Sequence, residues 1–232
     1  MLCSRVAFDN ASSFIFMNFE QPVFRYADLN TNARMDIYNQ FSSGLYRLSP
    51  YFNSVISVRG EEGFYGVRDV APDDFGSTVY YSLFYERKEV VDEGLFFIKD
   101  RNNGLVFMVE RSAAHECFSE EEIASLRSCL PVVKAVLAGE LAAPAPEAGA
   151  APPDVGFDRG AVLSAREQDV ASLILQGHSS KSAARILGIS PHTEKVHRKR
   201  LYRRLGISSH TDLFRLYAKE IGVLEPRQDS GA

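Results

Sequence analysis

The chain has no tryptophan, only three cysteines and no long hydrophobic run. An odd number of cysteines without paired spacing makes a poor disulfide framework. No apolar segment approaches the roughly 20 residues that a membrane-spanning helix needs, and the N-terminus lacks the basic and then apolar stretch of a signal peptide. These absences predict a cytoplasmic protein with no membrane partner.

Signs of enzymatic chemistry are also missing. No nucleophile–base pair, metal-ligand cluster or phosphate-binding loop can be read from the sequence. We therefore expect no catalytic residues, no metal and no cofactor. With 45% hydrophobic and 24% charged side chains over 232 residues, the composition is typical of a folded chain of one large or two small domains.

The net charge of the chain is −4, but the charged side chains are distributed unevenly along it. Residues 1–140 carry 13 basic and 20 acidic side chains, whereas residues 161–224 carry 11 basic and 5 acidic ones. Between them, residues 141–160 are rich in alanine and proline and predict a linker. Residues 225–232 predict a flexible tail. The basic C-terminal region indicates a surface for a polyanion.

That basic region shows a succession of helix signals. Ser164 and Glu167 form a capping box at the start of a first helix. A second short helix fits residues 181–187, and Ser190 then caps a third helix that has Pro191 at its first position. Two short helices followed by a strongly basic one describe a helix-turn-helix, whose last helix enters the major groove of DNA.

Residues 161–222 resemble the LuxR-type DNA-binding domain, a four-helix module of bacterial transcription regulators. The matching residues are Leu163, Ser164, Ala165, Arg166, Glu167, Gly177, Lys181, Ala184, Leu187, Ile189, Ser190, Thr193, Lys195, His197, Leu201, Leu205, Gly206 and Ile207. The resemblance implies double-stranded DNA as a partner.

Site residues follow from the same resemblance. Lys195, Val196 and Lys199 are expected to meet base edges. Thr193, His197 and Arg200 are expected to meet the DNA backbone, with Arg198 and Arg203 adding positive charge. The fourth helix, about residues 209–218, resembles the dimer-forming helix of the family, with Leu213, Leu216 and Tyr217 as its apolar face.

Two positions depart from the LuxR-type pattern. Ala183 and Glu194 stand where the family usually carries branched apolar residues that pack between helices. We hypothesise that the aliphatic stem of Glu194 fills the space beside Ala183 while its carboxylate reaches Arg198, one turn further along the helix. The alternative is that Glu194 is simply a tolerated substitution.

The N-terminal region carries most of the aromatic residues, with 14 of the 16 phenylalanines and 8 of the 10 tyrosines before residue 141. Residues 12–20 predict a buried strand, and residues 94–111 predict a β-hairpin. Ser119 and Glu122 form a capping box before a helix. Helical patterns also fit residues 32–48 and 73–87.

Strands and helices in this order predict an α+β domain with an antiparallel sheet, followed by the all-α four-helix domain. The N-terminal pattern resembles GAF-like sensor domains. Tyr65, Tyr81, Tyr85 and Phe64 are candidates to line a small-molecule pocket, although aromatics at such spacing are more often core. Autoinducer-binding domains of some LuxR-type regulators depend on tryptophan, so the lack of tryptophan argues against an acyl-homoserine lactone as the effector.

The leading hypothesis is a homodimeric transcription regulator that binds a palindromic promoter site and is modulated through its N-terminal domain by a small molecule or a protein. RNA polymerase is then expected as a further partner. The alternative is a protein-interaction adaptor or anti-activator, whose N-terminal domain binds a partner protein and not a metabolite. The charge partition adds the hypothesis that the acidic domain folds back on the basic helix when DNA is absent.

Overall fold

The computed structural model describes residues 6–27, 41–42, 44–86, 89–141 and 163–220. The predicted linker, apart from residue 141, and the predicted tail lie outside these residues. The N-terminal region is built on five antiparallel strands in the order β2-β1-β5-β4-β3. The strands are β1 (Asn10–Met17), β2 (Gln21–Ala27), β3 (Gly63–Gly66), β4 (Val90–Asp100) and β5 (Asn103–Ser112). The predicted mixed fold with an antiparallel sheet is confirmed.

The hairpin expected at residues 94–111 is the central element of this sheet. Strands β4 and β5 pair from Val90 opposite Ser112 to Asp100 opposite Asn103, so the connection is very tight. Arg101 in the turn has a φ of 48°, a left-handed conformation that a two-residue hairpin turn requires. Strand β5 then pairs with β1 on its other side.

Both faces of the sheet are covered, because neighbouring residues of a strand point to opposite sides. One face buries Phe14, Phe16 and Phe97 under short helical turns. These turns are Leu45–Leu48, Phe52–Ile56, Val67–Val70, Phe75–Ser77, Val79–Tyr81 and Ser82–Glu86. The other face buries Ile15 and Phe96. The central strands therefore read as continuous apolar runs, as in the segment at residues 95–98.

Two helices cover this second face, namely α1 (Glu120–Ser128) and α2 (Leu130–Leu141). The expected capping box of Ser119 and Glu122 forms at the start of α1. Arg111 of strand β5 is nearly buried and forms a salt bridge with Glu122, and its guanidinium lies 4.2 Å from the ring centroid of Phe118. The start of α1 is thus anchored to the sheet.

Four helices form the C-terminal region: α3 (Ala165–Leu175), α4 (Ser180–Ile186), α5 (Pro191–Leu205) and α6 (His210–Glu220). Their order agrees with the four expected helices, and α4 and α6 differ by one or two residues from the expected bounds of 181–187 and 209–218. The helix expected at residues 73–87 is instead broken into short turns, and most of the one expected at residues 32–48 lies outside the described residues. Within the part of the chain that the structure describes, no helix is long and apolar enough to cross a membrane.

Candidate nucleic-acid interface

Helix α5 is held at both ends by its own sequence. The Ser190 hydroxyl accepts a hydrogen bond from the Thr193 amide at 3.0 Å, and Pro191 occupies the first position, where a missing N–H costs nothing. Gly206 ends the helix with a φ of 67°, a left-handed conformation that suits glycine. The helix therefore has defined limits over Pro191–Leu205.

One face of α5 is open and basic. Lys195, Lys199, Arg200 and Arg203 are exposed, and the Val196 side chain between them is 36% exposed. These residues include all three that are expected to meet base edges. A helix that projects lysines and an apolar side chain together can donate to guanine O6 and N7 and contact a thymine methyl group.

The opposite face of α5 packs inside the helical region and contains Leu201 and Glu194, both 0% exposed. Glu194 accepts a hydrogen bond from Arg198 Nε at 2.8 Å, as hypothesised from the one-turn spacing. Ala183 of α4 is also fully buried. The buried ion pair and the small alanine thus occupy the positions where the family usually has apolar contacts.

The structure sets Arg198 apart from the other arginines expected to bind DNA, and its contribution to DNA binding stays a prediction. Its side chain is 23% exposed and is committed to Glu194, about one turn away on the inward face. Counting positive charges along the segment could not separate the inward arginine from the outward ones. Thr193 and His197, expected at the DNA backbone, are partly buried at the edge of the basic face.

A second ion pair ties α3 to the last turn of α5. Glu167 accepts hydrogen bonds from the Ser164 amide and hydroxyl, each at 2.8 Å, and from Arg204 Nη1 at 2.7 Å. Burial raises the pKa of the Glu167 carboxyl, but the Ser164 hydrogen bonds and the Arg204 charge outweigh it and lower the pKa overall. The carboxylate thus caps one helix and fixes another.

The dimerisation residues expected on α6 do not share an exposed face. Leu213 is 0% exposed and Tyr217 is 3% exposed, and both belong to the core of the helical region. Leu216 is partly exposed and lies in a shallow groove of about 530 Å³ next to Ile207. Of the three expected residues, Leu216 is the one that a second molecule can reach.

Of the four ligand candidates in the N-terminal region, Phe64 lies on one face of the sheet and the three tyrosines lie on the other. Phe64 packs against Phe96 on the α1–α2 face of the sheet, with ring centroids 4.9 Å apart. Tyr65 follows it in strand β3 and so packs on the opposite face, where its hydroxyl donates to the Glu61 carbonyl. Tyr81 and Tyr85 stack with ring centroids 5.0 Å apart.

A polar cluster that the sequence did not predict lies under this aromatic layer. Glu93 of strand β4 is 1% exposed, and its carbonyl accepts a hydrogen bond from the Tyr51 hydroxyl at 3.0 Å. Its carboxylate lies 3.5 Å from the Tyr80 hydroxyl. Burial, followed by the charge of Glu93, raises the pKa of Tyr51 and of Tyr85. An acidic pair inside the apolar run of β4 was the only local signal.

Among the described residues, no group of three His, Cys, Asp or Glu side chains is placed to hold a metal ion. Candidate features among the described residues include the basic face of α5, the groove beside Leu216 and the buried phenol–carboxylate cluster around Glu93.

Comparison with known proteins identifies the helical region. Residues 161–217 match the family model described as bacterial regulatory proteins, luxR family. Over 62 residues the chain is 42% identical to the transcriptional regulatory protein MctR of Rhizobium johnstonii, which is 27% of this chain and 28% of that protein. Over 53 residues it is 43% identical to the transcriptional regulatory protein UhpA of Escherichia coli, which is 23% of this chain and 27% of that protein.

The chain spans about a third or less of the length of the curated relatives that it matches first. The N-terminal fold is similar to the crystal structure of the VqsR LBD domain from Pseudomonas aeruginosa, with a TM-score of 0.51 and 21% identity. That match covers 60% of this chain and 80% of the other. Residues 161–217 thus match the DNA-binding helix-turn-helix region of the luxR family of bacterial regulatory proteins, and a mixed α/β region precedes them.

Proposed function

We propose that this chain is a transcription regulator that binds a two-fold symmetric promoter site as a homodimer and is controlled through its N-terminal region. The observation that carries the proposal is the division of α5 into two faces. Lys195, Val196 and Lys199 are exposed together, while Glu194 and Leu201 on the other side are fully buried. Such a helix can enter the major groove without disturbing the core behind it.

A second copy is proposed because one helix-turn-helix contacts only a half-site. The groove beside Leu216 and Ile207 supports a contact between the α6 helices of two molecules. Two copies related by a two-fold axis then face two half-sites of a palindrome, about 34 Å apart along the duplex.

Binding to a duplex that carries the cognate site tests the base-reading assignment. Lys195→Ala and Lys199→Ala should each weaken specific binding by about 1–3 kcal/mol if the lysine contacts a base. Arg101→Gln is the matched control, because it removes an exposed charge from the distant β4–β5 turn. Unchanged affinity of both lysine variants would contradict the assignment.

The N-terminal region is proposed to receive a small-molecule signal, and its buried aromatic layer around Glu93 supports this role. That the N-terminal region is a GAF-like sensor domain stays a prediction, as does an interaction of the chain with RNA polymerase. Genome-wide mapping of the DNA sites that the tagged protein binds distinguishes a regulator from an adaptor or anti-activator. Discrete bound sites are expected for a regulator, and a flat profile would favour an adaptor whose N-terminal region binds a protein.

A further inference from the structure

A loop of the N-terminal region contacts the helical region through specific hydrogen bonds. In this docking loop (residues 72–78), the Asp73 carboxylate accepts hydrogen bonds from the amide of Ser179, at 3.1 Å, and from its hydroxyl. The next amide, that of Asp74, donates to the Gly177 carbonyl at 3.0 Å. The Ser179 hydrogen bonds lower the pKa of Asp73, so its carboxylate is charged at neutral pH.

Packing around Gly177 reinforces these hydrogen bonds. A Cβ atom placed on Gly177 would lie 2.3 Å from the Thr78 side chain and 3.1 Å from Pro72, so the loop is in close contact with the turn before α4. Thr78 itself is 5% exposed. The contact combines fitted packing with three hydrogen bonds and is more than a chance approach of two surfaces.

The docking loop lies close to the N-terminal ends of α4 and α5. Ser179 caps the start of α4, and an open crevice of about 720 Å³ runs from Val70, Pro72 and Asp73 to Lys181 of α4 and Pro191, the first residue of α5. In a helix-turn-helix, the N-terminal residues of the second helix meet the bases while the first helix crosses the DNA backbone. The docking loop therefore stands on the side where the backbone has to pass.

We propose that the docking loop is an autoinhibitory latch that competes with the DNA backbone for the N-terminal side of the helix-turn-helix. This inference rests on the proposed DNA-binding function and names the element through which the N-terminal region controls it. The base-reading side chains stay exposed in the latched state, so the latch does not cover the basic face of α5. It blocks approach by its bulk and by the negative charge of Asp73, which repels phosphate.

The test uses the full chain and two neighbouring substitutions that each remove one negative charge. Asp73→Ala removes both acceptors of the latch. Asp74→Ala is the matched control, because the Asp74 contact to Gly177 is made by its backbone amide and its side chain accepts from Ser77 within the loop. Asp73→Asn keeps one acceptor oxygen and should give an intermediate result.

Two readouts are measured for each protein: amide hydrogen exchange at Ser179, which reports docking, and affinity for a mixed-sequence DNA duplex at low salt. Asp73→Ala should raise both the exchange rate and the DNA affinity, each on the order of tenfold, while Asp74→Ala leaves both near the wild-type values.

Three results would overturn the latch. Faster exchange in Asp73→Ala without tighter DNA binding would show that docking does not control binding. Unchanged exchange would show that the contact does not hold the two regions together in solution. If neither the wild type nor any variant binds the duplex, the proposed function fails and the latch with it. That last outcome differs from the first two, in which the wild type still binds.

Discussion

Removing either partner of the Glu194–Arg198 pair should destabilise the helical region, but by very different amounts. Glu194 is 0% exposed, whereas the Arg198 side chain is 23% exposed. Arg198→Leu therefore leaves a carboxylate enclosed without its partner, and breaking a buried ion pair in this way costs about 3–5 kcal/mol. Glu194→Val leaves a guanidinium that can still turn to water, so we expect a cost of about 1–2 kcal/mol.

The double variant, Glu194→Val with Arg198→Leu, closes the cycle. Replacing a buried ion pair by apolar side chains of similar volume is often neutral or stabilising, so the double variant should lie within about 1 kcal/mol of the wild type. The coupling between the two positions is then large compared with the typical error of additivity.

Hydrogen exchange of the α5 amides in the full chain is the suitable assay, because it reports the free energy of opening the helical region without assuming that the whole chain unfolds in one step. DNA affinity is measured in parallel. If Arg198→Leu proves less destabilising than Glu194→Val, the reasoning from burial is refuted. Should Glu194→Val leave affinity unchanged and raise stability, Glu194 is simply a tolerated substitution.

Three further predictions concern the dimer, the sheet and pH. Leu216→Asp should abolish dimers in analytical ultracentrifugation while thermal stability stays close to wild type, because Leu216 lies at a surface groove. Gly94→Ala should cost about 1–3 kcal/mol in urea unfolding, since its Cβ would lie 2.2 Å from the Phe64 ring. The hydrogen bond from Arg111 lowers the pKa of Glu122 to about 2. The contribution of the Glu122 carboxylate to stability is therefore complete above about pH 4.5 and should be lost in acid titrations as the pH falls towards 2. In Glu122→Gln this loss of stability with falling pH should be smaller.

Local patterns in the sequence were sufficient to predict most of the helices and strands discussed above. The capping boxes at Ser119 and Ser164, the hairpin at residues 94–111 and the Pro191 start of α5 all depend on residues within a few positions of one another. The pairing of Glu194 with Arg198 belongs to the same class, since it spans one helical turn. Such features can be read from spacing alone.

Features that depend on distant residues could not be predicted in this way. Asp73 and Ser179 are 106 positions apart, and nothing in either segment indicates the other. A helical pattern fits residues 73–87, but the described part of this segment forms separate short turns whose aromatic rings pack against the sheet. The inward direction of Leu213 and Tyr217 was likewise decided by the packing of α6 against the other helices.

The ion pair between Glu167 and Arg204 links the two ends of the path from the domain entry to the recognition helix. Ser164, whose amide and hydroxyl bind Glu167, stands where the chain enters this domain from the N-terminal side. Because the same carboxylate accepts from Ser164 and from Arg204 in the last turn of α5, at 2.7 Å, one side chain ties the entry of the domain to the C-terminal end of the recognition helix.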